Sequence, residues 1–146
     1  MSDLQNAIDR VFDTYRSAVH AKDVGAFLRV YDPNVRIFDA WGIWSYEGSA
    51  AWQVAVEAWF ASLGTERVEV SFEDVQVSGE SSFAAVSAIA TYAGLSAQGE
   101  PLRAMQNRLT WVLKTSGQDL RVIHEHTSAP AGFEDMKAIL QREKRA

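Results

Sequence analysis

Tyr15, Asp39, Arg108, His124 and His126 are the side chains through which this chain could do chemistry, and Trp41, Trp44 and Trp52 are the ones that could surround an apolar ligand. Asp39 ends an apolar run and opens into an aromatic loop, Ala40 to Gly48. An aspartate there either caps a turn or, desolvated beneath Trp41 and Trp44, has its pKa raised and moves protons. Tyr15 sits on the apolar stripe of a helix, where its phenol either reaches a polar partner in the core or faces a cavity. Arg108 needs an anionic partner if buried, either Asp39 or Glu125 within the chain or the carboxylate or phenolate of a ligand. In a regular strand Leu120, Val122, His124 and His126 share one face, and Arg121, Ile123, Glu125 and Thr127 the other. Two imidazoles on that face point to contact with a ligand or to closure of a cavity. His-x-His has no third ligand at suitable spacing, so no metal is expected. No phosphate-cradling Gly-rich loop, nucleophile elbow or Ser-His-Asp order is present.

The elements that must position these groups follow from the spacing of apolar residues. Leu4, Ile8, Val11, Phe12, Tyr15 and Val19 predict an amphipathic helix, with Ser2 and Gln5 as a capping box. Asp23 caps a short second helix carrying Val24, Phe27, Leu28 and Tyr31, stopped by Asp32-Pro33-Asn34. Val35 to Asp39 is a short strand. Ser49 caps a third helix with Trp52, Val56, Trp59, Phe60 and Leu63 buried and Gly64 at its end. From Val68 the period becomes two, and the apolar phase slips between Phe72 and Val75, which predicts a bulge near Asp74. Ser82 to Leu95 is apolar on both alternations, so both its faces should be covered. Ser96 to Pro101 is a turn, Leu102 to Thr115 a strand, and Gly117 with Asp119 turns the chain into the last strand. Phe133, Met136 and Leu140 predict a short C-terminal helix. Helices at the front and antiparallel strands behind imply an α+β domain, its helices on the concave side of one bent sheet.

Composition bounds the answer. At 146 residues, 47% apolar and with five tryptophans, the chain has material for one aromatic core. We expect a domain over residues 1–130 and a tail over 131–146. The net charge of −5 comes with no basic stripe, which argues against nucleic acid and anionic membrane as partners. There is no cysteine, hence no disulfide or thiolate chemistry, and the N-terminus lacks the pattern of a secretory signal. A cytoplasmic protein is expected. Strands apolar on both faces, and Trp111 opposite Arg108 and Thr110, point to a homodimer.

YRSAVHAKD in the first helix, VRIFDAWG on the first strand, YEGSAAW at the third helix and RLTWVLKTSGQDLRVIHEHTS at the end resemble the SnoaL-like branch of the NTF2-like superfamily, from about Asp3 to Ser128. The resemblance implies a cone: three N-terminal helices packed on a strongly curved, mostly antiparallel sheet, with a short C-terminal helix. It also implies that Tyr15 and Asp39 occupy the places of the oxyanion-stabilising tyrosine and general-base aspartate of the ketosteroid isomerases in that superfamily. Where that family carries a second oxyanion acid, Gln106, Asn107, Arg108, Leu109 and Thr110 stand here. The expected function is therefore binding of a small apolar or carbonyl-containing molecule by a cofactor-independent acid/base isomerase or lyase. Asp39 and Tyr15 would be catalytic, and Arg108, His124, His126, Trp41, Trp44 and Trp52 would bind the ligand. The alternative is a non-catalytic ligand-binding or homodimeric association domain.

Overall fold

The computed structural model describes residues 2–142. Helix α1 (Asp3–Ala21) buries Ile8, Val11, Phe12, Tyr15, Ala18 and Val19 along one stripe. Ser2 Oγ accepts from the Gln5 backbone N–H at 3.1 Å, but the Gln5 side chain bonds Asp9 instead of returning to Ser2, so only half of the capping box forms. Helix α2 (Val24–Leu28) is capped by Asp23, which accepts from Ala26 N–H at 3.0 Å, and it plants Phe27 in the core. Strand β1 (Tyr31–Phe38) begins earlier than the spacing predicts. Tyr31 pairs with Val122 and Arg36 with His124, so four β1 residues, Asp32 to Val35, bulge against the single residue Ile123. Pro33 is tolerated because a bulge asks for no ladder N–H from it.

The aromatic loop contains an unexpected two-residue strand β2 (Tyr46–Glu47) on the edge of β1. Helix α3 (Ser49–Ser62) follows, with Gly48 rather than Ser49 in the capping position and no side-chain cap. Gly64, at φ +58°, takes the left-handed conformation that ends the helix. The remaining strands are β3 (Arg67–Glu80), β4 (Phe83–Leu95), β5 (Pro101–Ser116) and β6 (Asp119–Ser128). The β3 register shifts between Glu73 and Gln76, with Asp74 at φ +55°, where the phase slip placed the bulge.

The six strands form one open, curved sheet in the order β2-β1-β6-β5-β4-β3, antiparallel except for the β1–β6 pair. The helices cover its inner face. Phe12 packs on Phe72 and Trp111 with ring centroids 4.4 and 5.2 Å apart, and Tyr15, Phe27 and Tyr31 extend this aromatic core toward α3. Trp111 is fully buried there, so it does not serve an outer contact. On β4 the outer alternation is uncovered: Phe83, Ala85 and Ser87 are exposed.

No C-terminal helix forms among the described residues, and residues 143–146 of the expected tail lie outside them. Residues 131–142 make a turn closed by a bridge between Ala131 and Ala138, then run along β5, where Gln106 N–H donates to Leu140 O at 2.6 Å. Phe133 is 100% exposed and Met136, in the left-handed region, is exposed too, so two of the three spaced apolar residues find no surface to bury against. No helix among the described residues is long and apolar enough to cross a membrane.

Candidate functional site

Between α1, α3 and the inner face of the sheet lies a chamber of about 670 Å³. Its walls are mostly apolar. Trp41 and Tyr46 come from the aromatic loop, Trp52, Val56 and Trp59 from α3, and Met105 from β5. Gly42, at φ +84°, lets the loop fold close over the Tyr46 hydroxyl, where a Cβ would stand 2.8 Å away. Leu140 of the tail closes the β5 side.

Five acidic or phenolic groups line this chamber: Tyr15, Asp39, Tyr46, Tyr92 and Glu125. Tyr15, 3% exposed, shares a hydrogen bond of 2.8 Å with the Tyr92 hydroxyl. Two hydroxyls carry two protons and one bond spends one of them, so the pair keeps a proton to offer. Burial pushes both phenols above their ordinary value and the charge of Glu125 adds to both rises; Tyr92 raises Tyr15 further, whereas the hydrogen bond with Tyr15 partly offsets the rise of Tyr92.

Asp39 lies just past the end of β1. Ala40 N–H donates to Thr127 Oγ1 at 2.9 Å, Thr127 Oγ1 donates to Asp39 Oδ1 at 3.0 Å, and Trp41 N–H reaches Asp39 Oδ2 at 3.4 Å. Burial raises the carboxyl's pKa, and the bonds from Thr127 and the backbone partly offset that rise.

Glu125, on the floor, is the group that sequence reasoning missed. It is 2% exposed, and its Oε1 accepts from the Tyr31 hydroxyl at 2.6 Å and from Trp111 Nε1 at 2.9 Å. Burial pushes its pKa from 4.5 up to about 7, opposed by these two hydrogen bonds and assisted by the charge of Asp39. Asn107 and Trp52 add polar atoms. Asn107 Oδ1 and Trp52 Nε1 are buried without a partner of normal hydrogen-bond geometry, although both residues lie close enough to a phenol, Tyr92 and Tyr31 respectively, to favour its ionised form weakly. Misaligned contacts of this kind contribute little.

Of the predicted site residues, Tyr15, Asp39, Trp41 and Trp52 converge on the chamber, and Arg108, His124, His126 and Trp44 do not. The histidines miss it because of one residue. Val112 pairs with His124 and Leu113 with Val122, leaving Ile123 unpaired. Beyond that bulge the parity of β6 inverts, so Glu125 and Thr127 face inward and His124 and His126 outward, around Phe38. His124 Nδ1 is bonded to the Arg36 carbonyl at 2.8 Å. Arg108 is exposed on the outer face and donates to Ser128 Oγ at 3.0 Å, not to Asp39 or Glu125, while its neighbour Asn107 points in. Trp44 is 96% exposed and lines an adjoining depression of about 530 Å³ with Arg36, Phe38 and His126, which shares Asp39, Gly42 and Thr127 with the chamber. The cation on the chamber wall is instead Arg103, held at the rim by Glu66 at 2.8 and 3.2 Å.

This arrangement has relatives. The chain superposes on an NTF2-like protein from Pseudomonas putida with 21% identity over 95% of each chain and a TM-score of 0.82. It is similar to the protein Aln2 from a Streptomyces species, at 16% identity, 88% and 91% coverage of this chain and that one, and a TM-score of 0.76. An NTF2-like protein with a cystatin-like fold from Novosphingobium aromaticivorans follows at 12% identity, 92% and 86% coverage, and a TM-score of 0.73. At such identities the likeness concerns the fold. Comparison with the curated proteins found no match. The family description "SnoaL-like domain" matches residues 8–132, which include every element from the middle of α1 to the end of β6, and on that match the chain belongs to the SnoaL-like domain family.

Proposed function

We propose that the chamber binds a small, largely apolar molecule bearing a carbonyl group and moves a proton beside that carbonyl. Asp39 takes a proton from the adjacent carbon, the C–H electron pair shifts onto the carbonyl oxygen, and the Tyr15–Tyr92 pair donates its uncommitted proton as a hydrogen bond to the resulting enolate. Where the substrate carries a double bond conjugated with that enolate, return of the proton to its far carbon shifts the double bond and completes an isomerisation. The observation that supports this reading is the meeting, in one mostly apolar chamber, of a carboxyl raised by burial and a phenol pair with a proton to spare. Base and oxyanion donor are both side chains, so the step requires no cofactor.

A non-catalytic binding role is favoured by a different observation: both Asp39 oxygens already accept hydrogen bonds from Thr127 and Trp41. One experiment separates the two readings. 2-Tetralone, whose C1 protons flank its carbonyl, is incubated with the protein in D2O and deuterium uptake is followed by NMR. The isomerase reading expects exchange well above buffer, lowered at least about 100-fold in Asp39→Asn and about tenfold in Tyr15→Phe. Full exchange in Asp39→Asn removes the assigned base. Binding without exchange in the wild type selects the binder.

We also propose a homodimer built on the outer face of the sheet. The uncovered alternation of β4, with Phe83, Ala85 and the half-buried Ile89, supports it.

A further inference from the structure

We propose that Glu125 meets the ligand as a neutral carboxylic acid, donating a hydrogen bond from Oε2 to an oxygen of the ligand, so that the chamber selects hydrogen-bond acceptors over ammonium cations. The proposal rests on the chamber being a ligand site, as above, and names the group that reads the ligand's polar atom.

The geometry decides which form of the acid is present and where its proton sits. The groups around Glu125 supply no positive charge: Tyr31 from β1 and Trp111 from β5 bond it, and Tyr15 from α1, Tyr92 from β4 and Asp39 beyond β1 lie within electrostatic range. Arg103, the cation on the chamber wall, is engaged with Glu66 at the rim. An ionised Glu125 would therefore be a buried anion beside a second carboxylate with only two neutral donors to hold it, which favours the protonated form. Those two donors, Tyr31 and Trp111, both bond Oε1. With both lone pairs of Oε1 engaged, the acid proton belongs on Oε2. Oε2 makes no hydrogen bond to the described residues, and Glu125 lines the chamber. Its O–H is thus a donor fixed in direction by the pair that grips the other oxygen. Protonation of this group near neutral pH agrees with that geometry.

A purely structural Glu125 would serve Tyr31 and Trp111 and be indifferent to the ligand. Three naphthalenes that differ at one group distinguish the cases: 2-acetylnaphthalene, 2-ethylnaphthalene and 1-(2-naphthyl)ethylamine, titrated by tryptophan quenching at pH 6 and pH 8.5. At pH 6 the ketone should bind about tenfold more tightly than the hydrocarbon, and the cationic amine most weakly. At pH 8.5, above the value of about 7 at which Glu125 ionises, the preference for the ketone should shrink to what the Tyr15–Tyr92 pair alone supplies, and a preference unchanged between the two pH values would overturn the proposal. Glu125→Gln keeps an acceptor for Tyr31 and Trp111 and a donor for the ligand, so it should fold and prefer the ketone equally at both pH values. Equal binding of ketone and hydrocarbon at pH 6, tightest binding of the amine, or loss of the preference in Glu125→Gln would each overturn the proposal. Failure of all three to bind would overturn the chamber's ligand role and this assignment with it. The base assignment fails separately: Asp39→Asn should lose deuterium exchange and retain the ketone preference.

Discussion

Glu125 shows how much one side chain can hold when a fold removes it from water. Its acid form is favoured in the folded chain and not in the unfolded one, so between about pH 4.5 and 7 the native state retains a proton that the denatured state has released. Stability from this group is complete below that window and is lost as the pH rises through it, by an amount on the order of 3 kcal/mol. Urea denaturation at pH 5 and pH 8 should show the wild type losing more stability than Glu125→Gln, with Gln the more stable at pH 8. Parallel losses in the two proteins would mean that Glu125 is ionised throughout. Asp39, raised in the same sense, supplies a remaining slope that both proteins share. Tyr15, Asp39 and Trp52 were legible in the sequence because each sits on an element whose phase is unambiguous: a capped helix, the end of a strand, and the stripe of α3. Glu125 was not legible. It stands in a polar run, and its side of the strand depends on an event two residues earlier.

That event belongs to the scale of the element. Strand β6 carries one unpaired residue, Ile123, and everything after it is turned over relative to a regular alternation. The outward positions of His124 and His126 follow, and replacing both with alanine should leave naphthalene binding unchanged and stability within about 0.5 kcal/mol. A tenfold loss of binding would put an imidazole back in the chamber. Deleting Ile123 tests the pairing directly. The deletion joins Val122 to His124 in the register that Leu113 and Val112 already hold, so Glu125 and Thr127 should stay inward, and the variant should keep the ketone preference and a cooperative thermal transition at a cost of about 1–3 kcal/mol. The bulge at Asp74 was predictable because apolar residues on both sides record the slip, Phe72 before it and Val75 after. Near Ile123 the residues after the slip are His, Glu, His and Thr, which leave no apolar record. The tail obeys a similar rule: Phe133, Met136 and Leu140 have helical spacing, but a helix of that length depends on a surface to pack against, and only Leu140 finds one.

At the scale of the whole molecule, a sheet covered by helices on its inner face leaves the outer face of β4 and β5 open, where Ala85 lies opposite Val112 and Arg108 opposite Ile89. If two copies join there, light scattering at micromolar concentration should give twice the monomer mass of 16.2 kDa, and Ile89→Arg should return it to the monomer. A monomeric wild type at that concentration would remove the dimer. The sequence by itself determined the class of fold, the order of helices and strands, the aromatic core and two of the polar groups in the chamber, because hydrophobic period and capping chemistry are local and are written residue by residue. Tertiary structure decided which polar groups meet. The chamber exists only where α1, α3 and five strands come together, and membership in it turns on strand register, so that one unpaired residue exchanges two histidines for a glutamate and a threonine, and the parity of β5 exchanges Arg108 for Asn107.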